Sequence, residues 1–266
     1  MTLWLLGYVV LGTVAGFFAG LLGVGGGAIM VPVLALMFAA QGFPETHLMH
    51  LALGTSMAAI VFTSISSLRA HHSHGAVRWP IVRIIAPGIL VGTFLGAQLA
   101  SLIPTRPLAI FFTIFMSYVA FQMLANIKPK PSRQLPGSFG MFVVGSGIGA
   151  VSALVAIGGG SLSVPFMTWC NVKMHDAIGT SAAIGFPIAV AGTVGYLVGG
   201  LGASELPSGS FGYIYLPALA ACVVASMLTA PLGAKAAHSL PVATLKKIFA
   251  GVILLLLAKM VHGLFW

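Results

Sequence analysis

Long apolar runs separated by short polar segments fill almost the whole chain. Six runs have the length of a single membrane-crossing helix, since about 20 apolar residues span the hydrocarbon core; they lie at residues 48–68, 81–102, 108–127, 177–200, 212–234 and 242–261. Two further charge-free runs, at residues 1–43 and 135–172, are longer. Hydropathy therefore predicts an all-α polytopic membrane protein with about eight membrane segments.

Both longer runs contain three consecutive glycines. Gly25-Gly26-Gly27 precedes Val31-Pro32, and Gly158-Gly159-Gly160 precedes Val164-Pro165 at the same spacing. Glycine is a poor helix former, and one helix over the first run would be about 60 Å long, twice the hydrocarbon core. Each run is therefore expected to contain a helical segment that breaks at membrane depth, where irregular backbone is tolerated only inside protein or along a cavity.

The glycine motif is one of three landmarks that occur twice in the same order. His50 and Gly54-Thr55-Ser56 correspond to His175 and Gly179-Thr180-Ser181, while Gly96-Ala97-Gln98 corresponds to Gly233-Ala234-Lys235. The Lys- and Pro-rich stretch 128–136 is typical of a stiff polar linker. We expect two homologous transmembrane repeats, residues 1–127 and 137–266, joined by this cytoplasmic linker.

The positive charges bear on the relative direction of the repeats. Eight crossings would make the repeats parallel, whereas a re-entrant first segment in each half, followed by three spanning helices, would make them inverted. With residues 69–83 inside, the inverted arrangement puts ten of the twelve Lys and Arg residues inside, all but Arg106 and Lys259. The parallel arrangement puts only about seven there. The positive-inside rule favours inverted repeats.

Composition narrows the class of protein. The chain is 59% hydrophobic and 6% charged, with a mean hydropathy of +1.08. The net charge of +9 comes from residues between apolar runs, which indicates membrane topology rather than nucleic-acid binding. The first residues lack a basic n-region and a cleavage site, so we expect them to be retained. The two cysteines have no metal-ligand or disulfide pattern. Only three carboxylates are available for acid–base chemistry, and we expect no enzyme, no cofactor and no metal site.

A family resemblance rests on the two glycine motifs and the two Gly-Thr-Ser tripeptides, with the motifs at Gly23–Pro32 and Gly158–Pro165. These segments resemble the sulfite exporter TauE/SafE family, and the resemblance covers almost the whole chain. The resemblance implies a multi-pass transporter in the inner membrane of a prokaryote, with sulfite, sulfoacetate or another organosulfonate as substrate. The second copy has Ala156-Ile157 where the first has Gly23-Val24, so the two motifs need not be equivalent. Gly23–Ala28 also fits a dinucleotide-binding fingerprint, but the strand–helix context that this fingerprint requires is absent from the predicted elements.

The glycine motifs are the expected anion site. A helix that starts after each break directs free N–H groups and its positive dipole end towards a bound anion. The alternative is close helix packing through small residues. Hydroxyl groups on the following helix would complete the shell or bond to their own helix. The predicted substrate-binding residues are Gly25, Gly26, Gly27, Ala28, Thr55, Ser56, Gly158, Gly159, Gly160, Ser161, Thr180 and Ser181.

A second group of polar residues is a candidate for coupling or entry. His50, His175 and Asp176 would carry protons or lie at the membrane interface. Gln98 and Lys235 occupy matching repeat positions, and Lys235 would attract anions or snorkel to the interface. His71, His72 and His74 are interpreted as a solvated loop rather than a metal site.

These observations predict a secondary exporter of a small sulfur-containing anion in the lipid bilayer. An anion channel of the same fold, or an importer of sulfonate- or thiosulfate-type anions, remains the alternative.

Overall fold

A computed structural model describes residues 2–22, 26–125, 131–239 and 242–265. The fold is all-α, with 82% of the described residues in helices. In chain order the elements are α1 (Thr2–Leu22), α2 (Gly27–Ala40), a 3₁₀ turn (Glu45–His47), α3 (Leu48–Ser73), α4 (Trp79–Leu102), α5 (Thr105–Leu124), α6 (Ser138–Val155), α7 (Gly160–Trp169), α8 (Met174–Gly200), β1 (Ser210–Phe211), β2 (Ile214–Tyr215), α9 (Leu216–Ser239) and α10 (Val242–Phe265).

Seven helices in the described part of the chain are long and apolar enough to cross a membrane: α1, α3, α4, α5, α6, α8 and α9. This confirms the predicted class of multi-pass membrane protein. The eighth predicted segment, 242–261, falls within α10. Helices α3 and α8 have the largest buried shares of the seven, 83% and 56% of their apolar windows. These two helices therefore form the centre of the bundle.

The first two helices form a hairpin, here called the first hairpin. Gln41 Nε2, just after α2, donates to Tyr8 Oη at 2.6 Å near the start of α1, while Gly26 before α2 lies against Ala15. Helices α6 and α7 form the second hairpin. The backbone N–H groups of Ser132 and Arg133, which precede α6, donate to Trp169 O at the end of α7. Each hairpin therefore returns to the side on which it starts.

Each hairpin packs against a helix of the other half. Helix α1 runs parallel to α9, and α6 runs parallel to α4. Glycines spaced four residues apart allow both contacts, because any side chain there would overlap the facing backbone. Gly12, Gly16 and Gly20 face Cys222, Ser226 and Ala230, and Gly88, Gly92 and Gly96 face Phe142, Ser146 and Ala150. The two halves are interlocked, and the boundary between them stays a prediction from the sequence.

Helices α3 and α8 run antiparallel. Gly54 near the start of α3 faces Tyr196 near the end of α8, and Met57 faces Gly192. In addition, Arg78 Nη2 lies 2.7 Å from Asp176 Oδ2, so the α3–α4 connection and the start of α8 share one end of the bundle, here called the Arg78 face. Parallel repeats would make α3 and α8 parallel and put these segments at opposite ends. The geometry agrees with inverted repeats.

Two local expectations are wrong. Helix α3 continues to Ser73, so His71 is helical and buried rather than part of a solvated loop. Residues 212–215 precede α9 instead of starting it, and form the turn and second strand of a short antiparallel hairpin. Gly209 and Gly212 have φ values of 88° and 54°, and Gly212 lies against the backbone of Leu197. Such left-handed backbone is accessible to glycine and ends the apolar helical pattern there.

Candidate functional site

The second helix of each hairpin starts after a glycine in left-handed backbone. Gly26 precedes α2 with φ 79°, and Gly159 precedes α7 with φ 85°. Glycine adopts this conformation without the steric cost that a side chain brings. We call Gly26 and Gly27, at the start of α2, the first break, and residues 156–159, just before α7, the second break. Gly25 lies outside the described residues, whereas the other predicted glycines of both motifs are buried.

The two breaks are in contact with each other. A Cβ atom on Gly27 would overlap Ala156 O and would lie 3.1 Å from Ile60 Cδ1, near the midpoint of α3. The carbonyl oxygen of Gly158 lies 2.8 Å from the Cβ position of Gly185, near the midpoint of α8. Both breaks therefore meet halfway along the two central helices.

Helices α2 and α7 begin at this meeting point. The N–H groups at the very start of a helix have no intrahelical acceptor, and the aligned peptide dipoles make this end positive. From the third residue of α2 and α7 onwards acceptors are present, since Ile29 N and Leu162 N donate to Gly26 O and Gly159 O. Neither Gly26 nor Gly159 supplies a side-chain cap. Ala28 is fully buried in the first turn of α2, and Ser161 is 8% exposed in the first turn of α7. An anion between the breaks would face neutral donors and two positive helix ends.

A small cavity, here called the central cavity, adjoins the second break. Its lining consists of Ala19, Thr63, Ser64, Ser67, Gly158, Ala182 and Gly185. These side chains carry no charge. The free volume of about 10 Å³ is roughly what one water molecule needs. A sulfur oxyanion, with at least three oxygens around the sulfur atom, requires several times that space, so the central cavity in this conformation is too small to hold one.

The hydroxyl groups of the central cavity come from one face of α3. Thr63 Oγ1 lies 3.0 Å from Ala59 O and 2.9 Å from Ser226 Oγ, and Ser64 donates to Val61 O at 2.9 Å. Ser67 is 4% exposed, and its Oγ has no hydrogen-bond partner among the described residues. Buried polar atoms are normally satisfied by protein, water or a ligand. Ser67 is therefore the free hydroxyl group of this cavity.

Thr63, Ser64 and Ser67 are not among the residues predicted from the sequence to bind the substrate. Their spacing of i, i+1 and i+4 puts three hydroxyl groups on one side of an otherwise apolar helix. This spacing could have predicted a polar face on α3. The repeated Gly-Thr-Ser tripeptide instead indicated the preceding turns of the helix.

Comparison with known proteins agrees with the fold. A family model described as sulfite exporter TauE/SafE matches residues 8–260. The chain belongs to this family. A probable membrane transporter protein of Haemophilus influenzae is 38% identical over 91% of this chain and 92% of its own length. The probable membrane transporter protein YdhB of Bacillus subtilis is 27% identical over 87% of this chain and 89% of its own length. No solved structure matches. The TauE/SafE chain is thus a membrane transporter.

In this TauE/SafE chain the threonines of the two Gly-Thr-Ser tripeptides lie away from the breaks and close the starts of other helices. Thr55 Oγ1 accepts a 2.9 Å hydrogen bond from Tyr215 N, just before α9. Thr180 Oγ1 accepts a 2.9 Å hydrogen bond from Arg78 N, just before α4. Since α3 and α8 are antiparallel, the two threonines lie towards opposite ends of the bundle. The structure does not bring them together with both breaks in one shell.

The adjacent serines are also deeply buried. Ser56 and Ser181 are both 0% exposed. Ser56 Oγ has no hydrogen-bond partner among the described residues, as is also true of Ser161 Oγ in the first turn of α7. Ser56, Ser67 and Ser161 thus carry buried hydroxyl groups without a partner among the described residues, and of the three Ser67 lines the central cavity.

The candidate coupling residues lie near the ends of the central helices. His50 is 3% exposed, and its Nε2–H group donates to Ala100 O and Ile103 O at 3.1 and 3.0 Å, which closes the end of α4. His175 is exposed. Asp176 forms the ion pair with Arg78, whose side chain is 57% exposed. These positions are consistent with an interfacial role.

The matched residues Gln98 and Lys235 have different surroundings. Gln98 Nε2 donates to Gly195 O at 2.8 Å between α4 and α8. Lys235 is exposed in the last turns of α9. Neither residue lines the central cavity.

Proposed function

We propose that the protein is a secondary transporter that exports a small sulfur-containing oxyanion, such as sulfite or an organosulfonate, across the inner membrane of a prokaryotic cell. The observation that carries the proposal is the contact between the two breaks at the midpoint of α3 and α8. Broken helices that meet at mid-membrane are the usual substrate site of secondary transporters with repeated halves. The family supplies the sulfur chemistry.

The anion binds at the second break, between the first turn of α7 and the hydroxyl face of α3. Ser67 and Ser161 donate through their free hydroxyl groups, and the start of α7 contributes its positive end. A favourable helix-end contact with an anion is worth about 0.3–2 kcal/mol. Since the lining residues of the central cavity are neutral, the anion is held without a buried cation and is released readily.

The substrate is tested by flux into proteoliposomes that contain the purified full chain. We expect saturable uptake of sulfite or sulfoacetate above that of empty vesicles, and we expect an imposed ion gradient to drive it. Channel-like currents without coupling would favour the alternative of an anion channel. Uptake driven inward by the gradient found in cells would favour an importer. No flux of any sulfur oxyanion under several gradients would refute the proposed substrate class.

The site is tested by Ser67→Ala with Ser66→Ala as the matched control. Ser66 lies beside Ser67 on α3, but its hydroxyl group donates to Met227 O of α9, outside the central cavity. Loss of a hydrogen bond to a charged partner costs about 1.5–3 kcal/mol. We therefore expect Ser67→Ala to raise the half-saturating anion concentration on the order of tenfold, and Ser66→Ala to leave it unchanged. Equal values for both variants would place the anion elsewhere.

A further inference from the structure

A buried histidine connects α3 to the first hairpin. His71 is 2% exposed, and its Nε2 lies 3.3 Å from Gly20 O. Because the carbonyl oxygen is an acceptor, the ring Nε2–H group is the donor. Gly20 belongs to the last turn of α1, just before the first break. This hydrogen bond therefore ties the end of α1 to α3 on the side of the Arg78 face.

A buried tyrosine makes the corresponding connection in the other half. Tyr196 of α8 is fully buried, and its hydroxyl group donates to Ala153 O at 2.9 Å. Ala153 belongs to the last turn of α6, just before the second break. In the predicted repeat alignment, which pairs Thr55 with Thr180 and Gly26 with Gly159, His71 pairs with Tyr196 and Gly20 pairs with Ala153. The two hydrogen bonds thus occupy equivalent positions.

The two hydrogen bonds lie on opposite sides of the central cavity. Tyr196 faces Gly54 across the antiparallel pair of central helices. Gly54 and His71 are separated by about 25 Å along α3, at 1.5 Å per residue. Thr63, Ser64 and Ser67, which line the cavity, lie between them on α3. One bond therefore lies on the Arg78 side of the cavity, and the other lies on the opposite side.

We propose that the His71–Gly20 and Tyr196–Ala153 hydrogen bonds are the two gates of the transport site. Both are formed in this conformation, in which the cavity has space for about one water molecule. An anion enters only after the end of one hairpin helix moves away from α3 or α8, which breaks one bond while the other holds. The inference rests on the proposed function for the identity of the site, but the gates can be tested without any anion.

A gate of this kind must be weak enough to open. A single intramolecular hydrogen bond contributes a net factor of about 2- to 10-fold to an equilibrium, because water replaces the lost partner. Removal of one bond should therefore shift the population of conformations towards the state that is open on that side by a similar factor. The protein should stay folded, since the rest of each helix contact is unchanged.

The gates are tested with a cysteine that lines the cavity. Ala182→Cys is introduced into the full chain after both native cysteines, Cys170 and Cys222, have been replaced by alanine. Modification by a membrane-impermeant thiol reagent is then followed in vesicles of both orientations. We expect Tyr196→Phe to speed modification about 3- to 10-fold from the face opposite to Arg78, and His71→Phe to speed it similarly from the Arg78 face.

Two variants control the test. His71→Gln keeps an N–H donor at similar reach and should restore slow modification. Thr113→Val removes a hydroxyl group that bonds only to its own helix, at Ala109 O, and should change nothing. Tyr196→Phe deletes a single oxygen atom, so it tests the proposal even if His71→Phe does not fold. Faster modification by Tyr196→Phe from the Arg78 face, or no change from either face, would overturn the gates. Missing sulfite flux with normal gating would instead refute the substrate.

Discussion

The contact between the two breaks can be tested by adding one methyl group. In Gly27→Ala the new Cβ would overlap Ala156 O, and it would lie 2.8 Å from Ala156 C and 3.1 Å from Ile60 Cδ1. The first two atoms are backbone. Ala156 itself has φ 46°, a conformation that costs a non-glycine residue about 1–2 kcal/mol, so it has little freedom to move away. The breaks must separate to accept the methyl group.

The size of the effect follows from the cost of overpacking, which is about 1–3 kcal/mol. That range corresponds to a fall in unfolding temperature of roughly 2–10 °C for a chain of this size. The same cost opposes the contact between the breaks on which the proposed anion site depends. Because about 1.4 kcal/mol is a tenfold change in an equilibrium constant, we expect anion flux to fall on the order of tenfold. Intrinsic helix propensity alone would predict the opposite, since alanine is favoured over glycine by about 1 kcal/mol.

The matched control is Gly147→Ala in α6. Gly147 is exposed, and a Cβ atom there would meet nothing within 4 Å. This variant should melt at the parent temperature or slightly above it and should transport normally. The assays are thermal unfolding of the purified protein and sulfite flux in proteoliposomes. If Gly27→Ala melts and transports like Gly147→Ala, the two breaks are not in contact.

Three further predictions test other parts of the structure. Asn171→Cys should resist an impermeant thiol reagent applied outside intact cells, because residue 171 lies at the Arg78 face, which is predicted to be cytoplasmic. Ser204→Cys, which follows α8 at the other end of the bundle, should react, and the reverse pattern would refute a cytoplasmic Arg78 face. Thr180→Val should lower the unfolding temperature by several degrees, since it leaves the backbone N–H group of residue 78 without its acceptor at a cost of about 1–3 kcal/mol, whereas Thr113→Val should not. Ala156→Gly should raise the unfolding temperature by relieving left-handed backbone, and a clear fall would contradict this.

Much of the architecture followed from apolar length and the position of charge. The apolar runs predicted the spanning helices, and the Lys and Arg positions favoured the inverted arrangement that the antiparallel α3 and α8 agree with. Periodicity could not predict the pairing of α1 with α9 or of α6 with α4, because contacts between distant segments depend on which glycine rows face each other. The strand pair before α9 was also missed, since the apolar pattern continues through Gly212.

The candidate site was less accessible to sequence reasoning. The glycines marked the breaks because backbone that leaves the helical region needs them. The repeated threonines were a weaker guide, since a buried hydroxyl that accepts a backbone N–H bond has the same sequence pattern as one that binds a ligand. His71 looked like a loop residue because three histidines follow an arginine within a short stretch. Its burial depends on Gly20 of α1, which the sequence could not place beside it.

The predicted repeats explain why only one of the two breaks carries the anion in this proposal. Exchange of the halves replaces the hydroxyl residues Thr63, Ser64 and Ser67 by Ile188, Ala189 and Gly192 of α8. On that side the space is filled instead, because the side chain of Met57 packs against Gly192. In the predicted inverted repeats the two proposed gates are equivalent, but the residues of α8 that match the hydroxyl face of α3 carry no hydroxyl group. In the proposed mechanism a single anion is bound between the two gates, which suits alternating access around one fixed site.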